Sequence, residues 1–289
     1  MKKIISIIIT LHASLFTLHF SSAQDFEVRT FQNDMDYLVI QIRETSGLGL
    51  PTTSSDITDL QFEVRWPQSY GTDLDVDLIC NTWELVEGLG GRQSEGNYYW
   101  RVFAAENIPF APASSWVQNQ WETIGMFKVI ATSGGGSGTF EIPPDAWVLQ
   151  GLNVGIDGTD YTPVVNSNVT GLPYPSLVYD YVWKGGTTQS PDYDENSWTL
   201  GTNWEDPCGT ENAPSNVPST GYNCYIPAGL TFYPSNFNVS NSGTCDRLKI
   251  QSGGNLTVPN EAVLTTEKVS LENTSDLTIE TGGTVQVQD

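Results

Sequence analysis

Histidine is missing from this 289-residue chain beyond position 19. The only two, His12 and His19, fall inside a stretch that reads as a secretory signal. Lys2 and Lys3 form its charged start, residues 4–20 are mostly apolar, and Ser21-Ser22-Ala23 places small residues at the cleavage positions. A chain processed after residue 23 has no imidazole. It therefore has no Ser-His-Asp or Cys-His catalysis and no histidine metal site. Basic residues are also scarce, 12 against 34 acidic ones for a formal charge of −22, and two of the 12 leave with the signal. That balance excludes nucleic acid, whose phosphates need lysine and arginine, and anionic membrane surfaces. After the signal no apolar run reaches 18 residues, so no transmembrane helix and no membrane insertion are expected. No cysteine stands at the cleavage site, which argues against a lipid anchor. The expected location is extracellular or on the outer-membrane surface.

Amphipathic helical patterns are absent too. Short alternating runs bounded by turn residues take their place, and 9 Trp, 12 Tyr and 11 Phe supply apolar area that a disordered acidic chain lacks. The fold class expected is all-β: an N-terminal, jelly-roll-like β-sandwich over 24–175, a connecting segment over 176–205, and a short parallel β-helix or β-solenoid over 206–289. In the first domain, Phe62, Val64 and Trp66 alternate with Glu63 and Arg65. Leu74, Val76 and Leu78 alternate with Asp73, Asp75 and Asp77. Seven or more such strands make a sandwich with one wet face per sheet. The glycine-rich residues 133–138 lack the lysine of a phosphate loop. Strand-like flanks make them a long hairpin loop in expectation, with an interdomain linker as the alternative.

In the second domain Leu248, Ile250, Leu256, Val258 and Leu264 recur 21 positions later as Val269, Leu271, Leu277, Ile279 and Val285. A period near 20 with short strands and Gly/Asn turns marks a solenoid, whose rungs cover one another's apolar edges. The rung ending at Asp289 would be bare. Something else then caps it, or the sequence is a piece of a longer protein.

The first domain resembles the cohesin-like and carbohydrate-binding sandwich superfamily. The resemblance is carried by 59–66 (Asp-Leu-Gln-Phe-Glu-Val-Arg-Trp), 73–78, 83–87 (Trp-Glu-Leu-Val-Glu) and the late strand Ile124-Gly125-Met126-Phe127-Lys128-Val129. The aromatic segment 98–121 has no counterpart there. The second domain resembles modules of Bacteroidetes surface, adhesin-like proteins, through Asn203-Trp204, Tyr225-Ile226-Pro227, Tyr233-Pro234, Cys245, Leu248-Lys249-Ile250 and Leu256-Thr257-Val258. That resemblance implies the start of a short parallel β-helix. The C-terminal sorting domain common in such proteins is not visible.

Four cysteines, Cys80, Cys208, Cys224 and Cys245, allow three full pairings. Cys224 and Cys245 are one rung period apart, so a disulfide between them is expected, closing a loop worth about 3 kcal/mol. Cys208 could compete for either partner, and Cys80 reads as a buried free thiol. Paired Cys-x-x-Cys spacing for zinc is absent. Asp73-x-Asp75-x-Asp77 begins like a calcium loop, but Leu78 stands where the turn glycine belongs, so a solvated strand face is expected. Asp157 and Asp160, around Gly158, are the better calcium candidates, against an ordinary turn; no other cofactor is implied.

Tyr99, Trp116 and Trp121 are the candidate carbohydrate-binding residues. Sugars stack on flat rings, and the loop around Trp116 and Trp121 is rich in Ser, Gln and Asn. In 98–100 (Tyr-Tyr-Trp) only one face can be core, so Tyr99, or else Tyr98 with Trp100, is exposed. The competing view is that these rings fill the core. The expected function is non-enzymatic: a secreted or cell-surface adhesin holding polysaccharide or a surface protein. The alternatives are a structural stalk of a larger surface protein and a glycan-active enzyme, for which some pair among 34 acids always qualifies.

Overall fold

The computed structural model describes residues 26–45, 57–81, 83–88, 90–108, 119–143, 153–156, 159–161, 163–185, 197–199, 203–209, 218–235, 237 and 242–288. The expected signal segment, Trp116 and Asp157 lie outside them, as does the side chain of Asp160. Every regular element among the described residues is a strand, apart from one 3-10 turn at Gln68–Tyr70, so the protein is all-β. The chain divides into two compact units, Met1–Ser176 and Leu177–Asp289.

Among its described residues the first unit holds thirteen strands: β1 (Phe26–Gln32), β2 (Leu38–Glu44), β3 (Ile57–Pro67), β4 (Asp75–Cys80), β5 (Val86–Glu87), β6 (Gln93–Glu95), β7 (Tyr98–Ile108), β8 (Glu122–Ile130), β9 (Gly136–Phe140), β10 (Asn153–Ile156), β11 (Thr159–Tyr161), β12 (Val164–Ser167) and β13 (Val169–Tyr174). One sheet runs β12-β1-β2-β8-β4. A second runs β11-β10-β3-β7-β5, with β6 also on β7, and β13 pairs with β9. The alternation seen in the sequence sets the faces. Phe26 and Val28 of the five-stranded sheet, and Leu60, Phe62, Val64 and Trp66 of the six-stranded one, are fully buried in one shared core. Phe62 meets Phe127 of the opposite sheet edge-on, with centroids 6.4 Å apart. Two sheets with facing apolar sides are what a β-sandwich requires.

The glycine-rich connection is not a hairpin. β8 pairs with β2 and β4, whereas β9 pairs with β13, so residues 131–135 pass from one sheet to another pairing. The crossing is anchored locally. Tyr70 lies so near Gly138 that a Cβ there would meet the ring at 2.6 Å, and the Tyr70 hydroxyl accepts a bond from Thr139 N at 3.0 Å.

The second unit holds β14 (Tyr181–Trp183), β15 (Trp204–Glu205), β16 (Asn223–Ile226), β17 (Ser242–Thr244), β18 (Arg247–Ile250), β19 (Asn255–Val258), β20 (Val263–Thr266), β21 (Lys268–Leu271), β22 (Asp276–Ile279) and β23 (Thr284–Val287). Three parallel ladders run β14-β16-β18-β21, β17-β20-β23 and β19-β22, and β15 lies antiparallel on β14. From β17 onward the 21-residue offset of the sequence is their register: Leu248 opposite Val269, Leu256 opposite Leu277, Leu264 opposite Val285. Stretches expected to connect domains carry β14 and β15, and Trp183, Trp198 and Trp204 sit fully buried in this unit's core. Trp204 meets Trp183 and Trp198 edge-on at 5.0 and 4.9 Å.

Cysteine pairing departs from expectation. Cys80, expected as a free thiol, is disulfide-bonded, as is Cys208, and Cys224 and Cys245 are free, buried thiols. The two thiols lie in contact with one another but are not bonded. Cys224 stands opposite Leu248, a step of 24 rather than 21, because the chain between β16 and β18 is longer than that between β18 and β21. The residue one 21-step from Cys245 is Thr266, whose hydroxyl lies 3.8 Å from the Cys245 sulfur.

Candidate functional site

The aromatic run 98–100 lies at the start of β7, and β3 decides which way each ring points. Directly opposed residues of an antiparallel pair share a face. Tyr99 stands opposite Trp66, which is buried, so Tyr99 turns inward. Its ring lies 6.5 Å from Trp66, and the Arg92 guanidinium covers it at 4.4 Å. Tyr98 and Trp100 stand opposite Pro67 and Arg65 and take the outer face. The alternative weighed in the sequence is therefore the one realised, and Tyr99 is half-buried packing rather than an open platform.

A row of side chains crosses this outer face. Glu141 bridges to Arg65, Arg65 opposes Trp100, and Trp100 opposes Gln93 of β6; Glu95 stands opposite Tyr98. Arg65 Nε donates to Glu141 Oε1 at 2.8 Å, and its guanidinium covers the Tyr98 ring at 4.7 Å. Glu63 shares the face, two residues along β3. Burial raises its carboxyl above the ordinary value, the Arg65 charge partly opposes that, and Glu95 adds to it. Two half-exposed rings thus sit among an arginine, an amide and three carboxylates. Such a surface can stack apolar ring faces and bond hydroxyls at the same time.

Trp121, the second described candidate, is engaged elsewhere. The guanidinium groups of Arg29 and Arg43 lie 4.2 and 4.5 Å from its ring centre, on the outer face of the five-stranded sheet. Its π face already holds cations. Trp116 lies outside the described residues, as do Asp157 and the Asp160 side chain, the candidate calcium ligands. Among the described residues no group of three or more His, Cys, Asp or Glu is arranged to hold a metal.

The Asp73, Asp75 and Asp77 carboxylates are each taken by a different neighbour. Asp73 Oδ2 accepts from the amides and hydroxyls of Thr132 and Ser133 at 2.6 to 2.9 Å. Asp75 pairs with Arg101 at 2.7 Å and Asp77 with Lys128 at 3.0 Å. They do not converge, in keeping with a strand face instead of a cation loop.

Neither Arg65 nor Arg29 was among the candidate site residues. The signal for Arg65 was its place beside Trp66, on the opposite side of β3 from a residue large enough to be core. No family model, curated protein or solved structure matches the chain.

Proposed function

We propose that this chain is a non-enzymatic extracellular binding protein that holds polysaccharide on the outer face of the six-stranded sheet through Tyr98 and Trp100. The observation that carries the proposal is the register of β3 on β7, which turns those two rings outward into a row with Arg65, Glu141 and Gln93. A sugar ring stacks on Trp100, beside the Tyr98 ring that the Arg65 guanidinium covers, and the polar row bonds its hydroxyls. The disulfide-bonded cysteines and the leader-like first 23 residues fit an exported protein. A jelly-roll-like, cohesin-related sandwich is the parentage proposed for the first unit.

The second unit, in this proposal, is the start of an adhesin-like β-solenoid that displays the first. Its three parallel ladders with a 21-residue step support that view. They equally favour the second reading, a stalk with no ligand of its own. A glycan array on the intact protein separates the two. The binding proposal expects a neutral polysaccharide to bind, and Trp100→Ala or Tyr98→Ala to weaken it at least about tenfold, or 1.4 kcal/mol. Silence across the array favours the stalk. Release of reducing sugar from any polysaccharide overturns the non-enzymatic assignment.

A further inference from the structure

The outer face of the five-stranded sheet carries a cation that no carboxylate among the described residues pairs with. β1 buries Phe26, Val28 and Thr30, so Glu27, Arg29 and Phe31 face outward. Arg29 opposes Gln41 of β2, and Gln41 opposes Thr123 of β8. Arg29 donates from Nε and Nη2 to the single oxygen Gln41 Oε1, at 3.0 and 2.6 Å, and Gln41 Nε2 passes the chain on to Thr123 Oγ1 at 3.1 Å. The guanidinium also covers the rings of Phe31 and Trp121, at 5.1 and 4.2 Å. Its neighbour Arg43 stacks on the same indole but is neutralised by Glu27 at 2.6 Å. Glu27 is in turn bonded by Asn166 and Arg43, so it does not serve Arg29.

Among the described residues no carboxylate pairs with Arg29. Five N–H groups belong to a guanidinium, and Gln41 uses two. The other three include the parallel pair on the Nη1–Nη2 edge, the geometry that matches a planar carboxylate with two bonds. The side chain is already held by two rings and an amide, so binding there loses little rotamer freedom. Burial and the Arg43 charge both pull the guanidinium below its ordinary value, in the sense that an incoming anion would reverse.

We infer that Arg29, with Arg43, Gln41 and Trp121 around it, is a receptor for the carboxylate of an acidic sugar, a second glycan site separate from the Tyr98 and Trp100 platform. The choice of a sugar as carrier rests on the function proposed above; the carboxylate rests on the geometry of Arg29 alone. The platform is flanked by Glu63, Glu95 and Glu141 and suits neutral rings. The two faces would then read different residues of one heteropolysaccharide.

The test is an NMR titration of the arginine Nε–H signals of the full chain with three probes: a hexamer of galacturonic acid, a neutral galactose hexamer, and a sulfated galactose hexamer lacking carboxylate. The galacturonate hexamer should give a saturable shift at Arg29 and the neutral hexamer none there. Arg29→Gln should weaken galacturonate binding at least about tenfold. Arg29→Lys, which keeps charge and loses the fork, should weaken it too, and Trp100→Ala should leave it intact. Equal or tighter binding of the sulfated hexamer overturns the carboxylate assignment. Unchanged binding by Arg29→Gln, or no shift at Arg29, overturns the site. If Trp100→Ala abolishes galacturonate binding while Arg29→Gln does not, the platform is the site for both sugars and this inference fails alone.

Discussion

Arg101 of β7 grips Asp75 of β4 with two parallel bonds of 2.7 Å, Nε to Oδ1 and Nη2 to Oδ2. The two strands belong to different sheets, so the pair ties the sandwich edge together. Arg101 opposes buried Val64, which places this cation on the inward face, and Nη1 reaches Glu87 of β5 at 2.5 Å. The bond from Asp75 is the main cause that holds the guanidinium above its ordinary value. Both Arg101 and Asp75 side chains are only 18% exposed. Removing one partner leaves the other poorly solvated. Arg101→Met or Asp75→Asn is expected to lower stability by about 2 kcal/mol, read as a lower urea midpoint with an unchanged slope.

Asp73 makes the case for acid sensitivity in the β8–β9 crossing. Bonds from the Thr132 and Ser133 side chains, and then the Ser133 amide, pull its carboxyl down to about 2. A depressed carboxyl stabilises the fold above its unfolded value, and that contribution is lost as pH falls through the folded one. The window is therefore between about 4 and about 2, the lower bound being that of the folded carboxyl. Carbon NMR of the Asp73 carboxyl should show a midpoint near the lower bound. The double variant Thr132→Val, Ser133→Ala should raise it toward the ordinary aspartate value.

Leu256 and Leu271 test what a neighbouring parallel strand contributes. Leu256 is fully buried, with Leu277 stacked on it in register, whereas Leu271, in the end strand β21 of its ladder, is 51% exposed. Leu256→Ala should cost about 3 kcal/mol. Leu271→Ala should cost less than about 1 kcal/mol, since little apolar area returns to water. Equal losses in calorimetry would mean that burial does not govern stability in these ladders.

The two free thiols give a chemical check. Burial raises the Cys224 thiol well above its ordinary value, and contact with Cys245 adds to that. Native protein should therefore react slowly with a thiol reagent at neutral pH, and unfolded protein should react with two equivalents, Cys224 and Cys245. Alkylation without reduction, followed by peptide mass analysis, should leave Cys80 and Cys208 unmodified.

Particular residues show how far the sequence could be read. Alternation along 60–66 marked one face of β3 as core, and Phe62, Val64 and Trp66 are indeed fully buried. The match of Leu248 to Val269 and Leu256 to Leu277 is the register of two parallel ladders. Both signals are local or strictly periodic, so a single sequence carries them. Tyr98, Tyr99 and Trp100 were ambiguous because all three rings suit a core or a surface, and a period of two says only that the first and third agree.

The amino-acid sequence by itself determined that the protein is all-β, where the alternation runs, and the 21-residue step of the second unit. It also determined the acidic balance that leaves few cations to place. Only the tertiary structure decided that Trp66 claims Tyr99 for the core, that Trp121 lies beneath two guanidinium groups, and that Asp73, Asp75 and Asp77 go to different partners. It alone decided that Cys224 and Cys245 stay thiols. Periodicity follows from the geometry of a single strand. Partnership depends on which distant strand arrives alongside and in what register, and that is settled by the packing of the whole sheet.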